Sequence, residues 1–171
     1  NTYRYRIIVN DPSNNSTQSD YVSVTMPTTT LSAYGKSVLD DGASNYWRLG
    51  DADQPKMIDL AGGNDMVKST GITPAADGAI NGDPDTSATF DGTAAGTAGS
   101  TSTVVSPDTF SAEAWFKTTT TKGGKILGLG NRQTGTSTSY DRHVYMDNAG
   151  RLRFGVYPGS IQTVSTAATM I

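Results

Sequence analysis

The chain has 171 residues, no cysteine, 42 Ser or Thr, and fifteen Asp against a single Glu, Glu113. Scarce Glu and Leu beside abundant Thr and Gly exclude a mainly helical bundle, and the lack of cysteine excludes disulfide frameworks and thiolate chemistry. A net charge of −3 with no Lys/Arg run speaks against nucleic acid or an anionic membrane as partner, and no apolar run reaches the roughly 18 residues of a spanning helix.

Residues 2–9 alternate, with Tyr3, Tyr5, Ile7 and Val9 set against Thr2, Arg4, Arg6 and Ile8. That period of two predicts a half-buried strand. Asp11-Pro12-Ser13-Asn14-Asn15-Ser16 predicts a turn, and Tyr21 to Met26 a second strand, so the segment reads as a β-hairpin ending at Pro27. Two strands bury too little to be stable in water, so the hairpin is expected to need partners. Thr28-Thr29-Thr30 reads as a polar linker. Leu31 to Leu39 carries Leu31, Tyr34, Val38 and Leu39 at helical spacing, with Asp40-Asp41-Gly42 as the stop. Strands are expected at Asn45 to Gly50, Ala88 to Phe90, Ser102 to Val105, Phe110 to Thr118, Lys125 to Leu129, Arg142 to Asp147, Arg151 to Tyr157 and Gln162 to Ala167. The Ser/Thr/Gly tract Thr93 to Thr103 reads as a mobile surface loop. Many short strands with Gly/Asp turns predict an all-β protein of the sandwich or jelly-roll kind.

Thr2-Tyr3-Arg4-Tyr5-Arg6-Ile7 resembles the penultimate strand of a fibronectin type III domain, and Ser19 to Met26 resembles its last strand. The resemblance covers residues 2–26 and implies that the earlier strands belong to polypeptide outside this chain. The residues themselves also allow the hairpin to be the edge of the domain that follows. From residue 31 onward the pattern resembles a laminin-G-like, concanavalin A-like jelly roll of modular bacterial and phage proteins. The motifs are Tyr46-Trp47-Arg48-Leu49-Gly50-Asp51, Asp59-Leu60-Ala61-Gly62-Gly63-Asn64, Ala88-Thr89-Phe90-Asp91-Gly92, Phe110-Ser111-Ala112-Glu113-Ala114-Trp115-Phe116-Lys117 and the turn Asp147-Asn148-Ala149-Gly150. That family's later Trp-His pair and Tyr-Val-Asp-Gly-like turn have no counterpart here, so the resemblance implies an incomplete antiparallel β-sandwich. The expected organisation is the end of a fibronectin type III-like domain over 1–27, a linker with a short helix over 28–44, and the jelly roll over 45–171.

Some jelly rolls hydrolyse glycans, and retaining glycosidases need two carboxylates about 5–5.5 Å apart. The lone Glu113 has no partner on its predicted strand, and Asp51 and Asp53 lie in a loop beside Pro55. No nucleophile elbow, zinc helix, phosphate loop or dinucleotide fingerprint is present, and His143, the only histidine, reads as an ordinary strand-face residue. The expectation is therefore a protein that is not an enzyme. A polar and aromatic face is the stronger signal. Ser111, Glu113, Trp115 and Lys117 oppose Phe110, Ala112, Ala114 and Phe116, while His143, Tyr145, Arg151, Arg153 and Tyr157 oppose Val144, Met146, Leu152, Phe154 and Val156. Were the polar sides to coincide, rings would stack on sugar C–H faces while planar polar groups bonded hydroxyls. Trp115, Tyr145, Arg153 and Tyr157 are thus the candidate carbohydrate-binding residues; the alternative is that Trp115 is core and the others a wet sheet face. The jelly-roll resemblance also implies a calcium ion, with Asp59, Asn64 and Asp91 as candidate ligands. Turn formation nevertheless suffices to explain most of the Asp residues. Asn14 and Asn15 match glycosylation acceptor patterns, to which no function is attached.

The function expected from these readings is a binding or adhesion module of an extracellular or virion-exposed protein, recognising polysaccharide or cell-surface glycan beside other domains or subunits. Two alternatives are a structural decoration or spacer domain of a phage tail or surface fibre, and an accessory module of a secreted glycosidase.

Overall fold

The computed structural model describes residues 2–25 and 30–167. Among them are thirteen strands, paired antiparallel throughout, and one short helix, which places the protein in the all-β class. The chain divides into two compact units, residues 1–31 and 32–171.

In the first unit β1 (Thr2–Tyr5) pairs with β4 (Val22–Thr25), and β2 (Ile8–Asn10) pairs with β3 (Ser16–Gln18). Met26, Pro27 and the linker residues Thr28 and Thr29 lie outside the described residues. Both predicted strands are interrupted, because the register slips by one residue between Tyr5↔Val22 and Ile8↔Gln18. Ser19 stabilises this bulge: its hydroxyl accepts from the Ile7 N–H at 3.0 Å and donates to the Asp20 carbonyl at 2.9 Å. The Arg6 guanidinium lies 4.9 Å from the Tyr21 ring centre at the same place. At the tip, Asp11 accepts from the Ser13 and Asn15 N–H groups at 2.9 Å each, and Asn14 takes the left-handed φ of 63° that Asn tolerates. Tyr3, Tyr5, Val22 and Val24 share one face by register, and each is between 42 % and 65 % exposed.

The second unit opens with α1 (Ala33–Asp40), two residues later than predicted. Its N-cap is Ser32, whose hydroxyl accepts from the Gly35 N–H at 3.1 Å, and Gly42 ends it at φ 79°. This helix, expected in a linker, groups with the second unit. β5 (Lys56–Met57), β6 (Met66–Lys68), β7 (Ile72–Ala76), β8 (Ser87–Phe90) and β9 (Ala98–Ser100) follow, arranged as a β5-β6-β9 sheet and a β7-β8 hairpin. Residues 93–103 are accordingly not all loop, since Ala98, Gly99 and Ser100 pair with Lys68, Val67 and Met66. Small residues carry little strand propensity. Here Gly99 admits the Gln133 backbone, whose carbonyl oxygen would lie 2.0 Å from a Cβ at that position.

β10 (Gly124–Gly130), β11 (Tyr140–Met146), β12 (Leu152–Val156) and β13 (Gln162–Ser165) form a four-stranded meander close to the predicted strands. Val144, Phe154 and Val164 stand in register across one face. Three expected strands are corrected. Residues 102–105 and 110–118 join no ladder, and Asn45 to Gly50 reduces to the single Trp47↔Asp59 bridge, with Leu49 turned out of strand geometry at φ 69°. Phe110, Ser111 and Ala112 line with Val144 and Phe154 a hollow of about 490 Å³, so the expected alternation of faces is not kept, and Ala112, Ala114 and Phe116 are exposed. The Phe110 and Phe154 rings are 5.9 Å apart. Among the described residues the buried apolar side chains are Met57, Ile72 and Met146, of which Met57 alone has no exposed surface.

Candidate functional site

Trp115 is held from the helix. Tyr34, on the first turn of α1, donates its hydroxyl proton to Glu113 Oε1 at 2.6 Å and accepts from Trp115 Nε1–H at 2.9 Å. The two rings meet edge to face, 6.3 Å apart at 81°. Burial, then the Glu113 carboxylate, push the Tyr34 phenol above its ordinary pKa, so it stays a proton donor. Trp115 is nevertheless 60 % exposed, which removes the core alternative considered for it.

A second cluster runs along β11 and β12. Register pairs Tyr145 with Arg153 and His143 with Gly155. Tyr140 stacks on His143 at 5.2 Å, and His143 meets Tyr145 at 5.8 Å. Asp147 anchors one end: its Oδ2 accepts from Arg153 Nε at 2.9 Å and Arg151 Nε at 3.1 Å, while Oδ1 takes the Ala149 and Arg151 N–H groups. Tyr157, 57 % exposed, lies at the other end, where its N–H donates to Asp141 at 2.9 Å. The structure therefore brings Tyr145 and Arg153 together and sets Tyr157 beyond them. Among the described residues no hydrogen bond, ion pair or ring contact joins Trp115 to these three. The sequence reading missed Tyr34 and Tyr140. Tyr34 reads as one more apolar position of a helix, and Tyr140 precedes Arg142, whose φ of 47° breaks the period of two.

Hydrogen bonds from Arg153, then from the Arg151 backbone, hold Asp147 far below the usual carboxylate range. A depressed carboxyl contributes stability that is complete above its unfolded value, ordinarily 3.8, and is lost as pH falls through the folded value. Acid titration followed by near-UV circular dichroism should show a loss of β11–β12 packing below pH ~4 that Asp147→Asn abolishes. An unchanged acid limb in that variant would show that other carboxylates govern it.

The candidate calcium ligands Asp59, Asn64 and Asp91 all accept hydrogen bonds from nearby groups. Asp59 is 6 % exposed, and its two oxygens accept five N–H donors, from the Asn45 side chain and the Tyr46, Ala61, Gly62 and Asn64 backbones. The Asn64 side-chain oxygen accepts from the Ser102 N–H at 2.9 Å. Asp91 Oδ1 accepts from both the N–H and the hydroxyl of Thr93 at 2.8 Å. Calcium needs six to eight oxygens with free lone pairs. Both Asp59 oxygens are already filled by N–H groups, Asn64 and Asp91 accept one and two donors, and among the described residues no group of three or more His, Cys, Asp or Glu stands together.

Fold and site together define an antiparallel all-β protein carrying an exposed, hydrogen-bonded aromatic corner. The chain matches no protein-family model, no curated protein and no solved structure.

Proposed function

We propose that this chain is a non-catalytic glycan-binding module of an extracellular or virion-exposed protein, with Trp115 as the stacking platform. The observation that carries the reading is an indole that is 60 % exposed yet fixed by Tyr34. A buried aromatic needs no ligand to explain it, and a free surface one loses entropy on binding; a fixed, exposed ring is preorganised for the C–H face of a sugar. Glu113, adjacent through Tyr34, supplies an acceptor for hydroxyls. A single Glu in the chain favours binding over glycoside hydrolysis.

Calorimetry against a panel of neutral and acidic polysaccharides tests this. Trp115→Ala should weaken binding by about 2 kcal/mol, roughly thirty-fold in Kd, as for a central aromatic contact. Tyr34→Phe, which keeps the ring and removes both hydrogen bonds, should weaken it less. Binding that survives Trp115→Ala unchanged, or no binding to any polysaccharide, rejects the reading. The row Val144, Phe154 and Val164, with the hollow beside Phe110, favours the structural alternative instead. Concentration-dependent self-association without glycan binding is the result that would select it.

A further inference from the structure

His143 occupies the middle of β11 with its ring between Tyr140 and Tyr145, 5.2 and 5.8 Å away. Its Nε2 is buried and has no hydrogen-bond partner. β10 closes over the imidazole through Gly128. A Cβ on that glycine would lie 2.8 Å from His143 Cδ2 and 2.9 Å from its Cα, so the two backbones meet as closely as a missing side chain allows. β10 is the edge of its sheet, and its ladder with β11 slips twice, between Lys125 and Leu127 and between Leu127 and Leu129. Its hold is therefore weakest where it covers His143.

The charged groups around the ring leave an imidazolium without a counter-ion. From β10 comes Lys125, the register partner of Tyr145 and the charge that bears on His143. Within β11, Asp141 is engaged by the Arg142 guanidinium and by the Tyr157 N–H. From β12, Gly155 stands opposite His143, and Arg153 is held by Asp147.

We propose that protonation of His143 releases β10 from β11, making this sheet edge an acid-sensitive latch. Protonated, the ring carries an N–H at Nε2 with no acceptor and a like charge facing Lys125. The residue is part-buried, and it is the Nε2 edge, beside the Cδ2 that Gly128 covers, that gains an acceptor only if β10 moves. Burial, then Lys125, hold His143 below its ordinary value of 6.5. A base with a depressed folded pKa contributes stability that is complete above the unfolded value and is lost as pH falls through it, so the latch is closed at neutral pH and opens in mild acid.

Hydrogen exchange of the whole chain between pH 7.5 and 5, corrected for intrinsic rates, tests the latch. The β10 amides should lose protection about ten-fold for each unit by which the imidazole is depressed, while β12 and β13 amides hold theirs. His143→Gln should abolish the response, and Lys125→Met should move its midpoint to higher pH. Constant β10 protection, or an acid response that persists in His143→Gln, overturns the proposal. If that variant does not fold, the imidazole C–H shifts of the natural chain serve instead. Protection of β10 must fall from the ordinary imidazole value downward and level off at their titration midpoint, and a fall outside that window is equally fatal.

Discussion

Asp59→Ala is expected to lower the unfolding free energy of the second unit by about 3–5 kcal/mol, because it strips several part-buried N–H donors of a charged acceptor. The carboxylate gathers donors from two separate stretches: Oδ1 accepts the Tyr46, Ala61 and Gly62 N–H groups at 2.8, 3.0 and 3.1 Å, and Oδ2 accepts Asn45 Nδ2 at 2.6 Å and the Asn64 N–H at 3.0 Å. Alanine leaves all five without that acceptor. Asn is no rescue, because its NH₂ would face the donors that one of the two oxygens now receives. Burial alone pushes the Asp59 carboxyl up, and the hydrogen bonds outweigh it, so the group stays below its ordinary 3.8. Its contribution is accordingly full above pH ~4 and declines in acid. Urea unfolding of both variants at pH 7 checks this, and a loss under about 1 kcal/mol would mean that the loop is held by other contacts.

Met57→Ala should cost about 2–5 kcal/mol, whereas Met57→Leu should cost less than about 1.5. Met57 has no exposed surface, and among the apolar side chains described only Ile72 and Met146, at 6 % and 5 % exposed, are buried beside it. When so few side chains are shut from water, each carries a large part of a stability that is a small difference between large terms. Truncation removes transfer energy and leaves a cavity on β5, a strand of two residues with a single neighbour, β6. Leucine keeps the volume. The same unfolding experiment separates the two variants, and equal losses for both would show that shape rather than volume is limiting.

Within the second unit, the sequence reading succeeds where pattern and pairing are local. β11 to β13 follow one another through five-residue connections, and the period of two with the Asp147-Asn148-Ala149-Gly150 turn places them, although nine residues separate β10 from β11 and that ladder slips twice. It falls short at β5, β6 and β9, which run for two or three residues, β9 pairing with β6 across 29 residues. No periodicity can register over so short a span. The candidate site divides in the same way. Tyr145 and Arg153 are cross-strand neighbours within one hairpin, and the alternation that puts them on one face also puts them in register. Trp115 reads as their companion only if residues 110–118 form a strand of the same sheet; that segment joins no ladder, and its indole turns to a helix 81 residues earlier in the chain.

Composition and alternation are thus enough for the all-β class, the closing meander, the first hairpin and the absence of paired Glu carboxylates, because each depends on residues a few positions apart. The Tyr34–Glu113–Trp115 corner, the five donors around Asp59 and the cover of Gly128 over His143 depend on backbone groups and side chains brought together from distant segments. A carboxylate that would suit calcium in a free loop becomes a hydrogen-bond hub once its oxygens are filled by N–H groups. An aromatic residue of undecided burial becomes a fixed, exposed surface once a helix supplies its partner. Those outcomes follow from which donors and acceptors meet on folding, and residue type alone does not specify that.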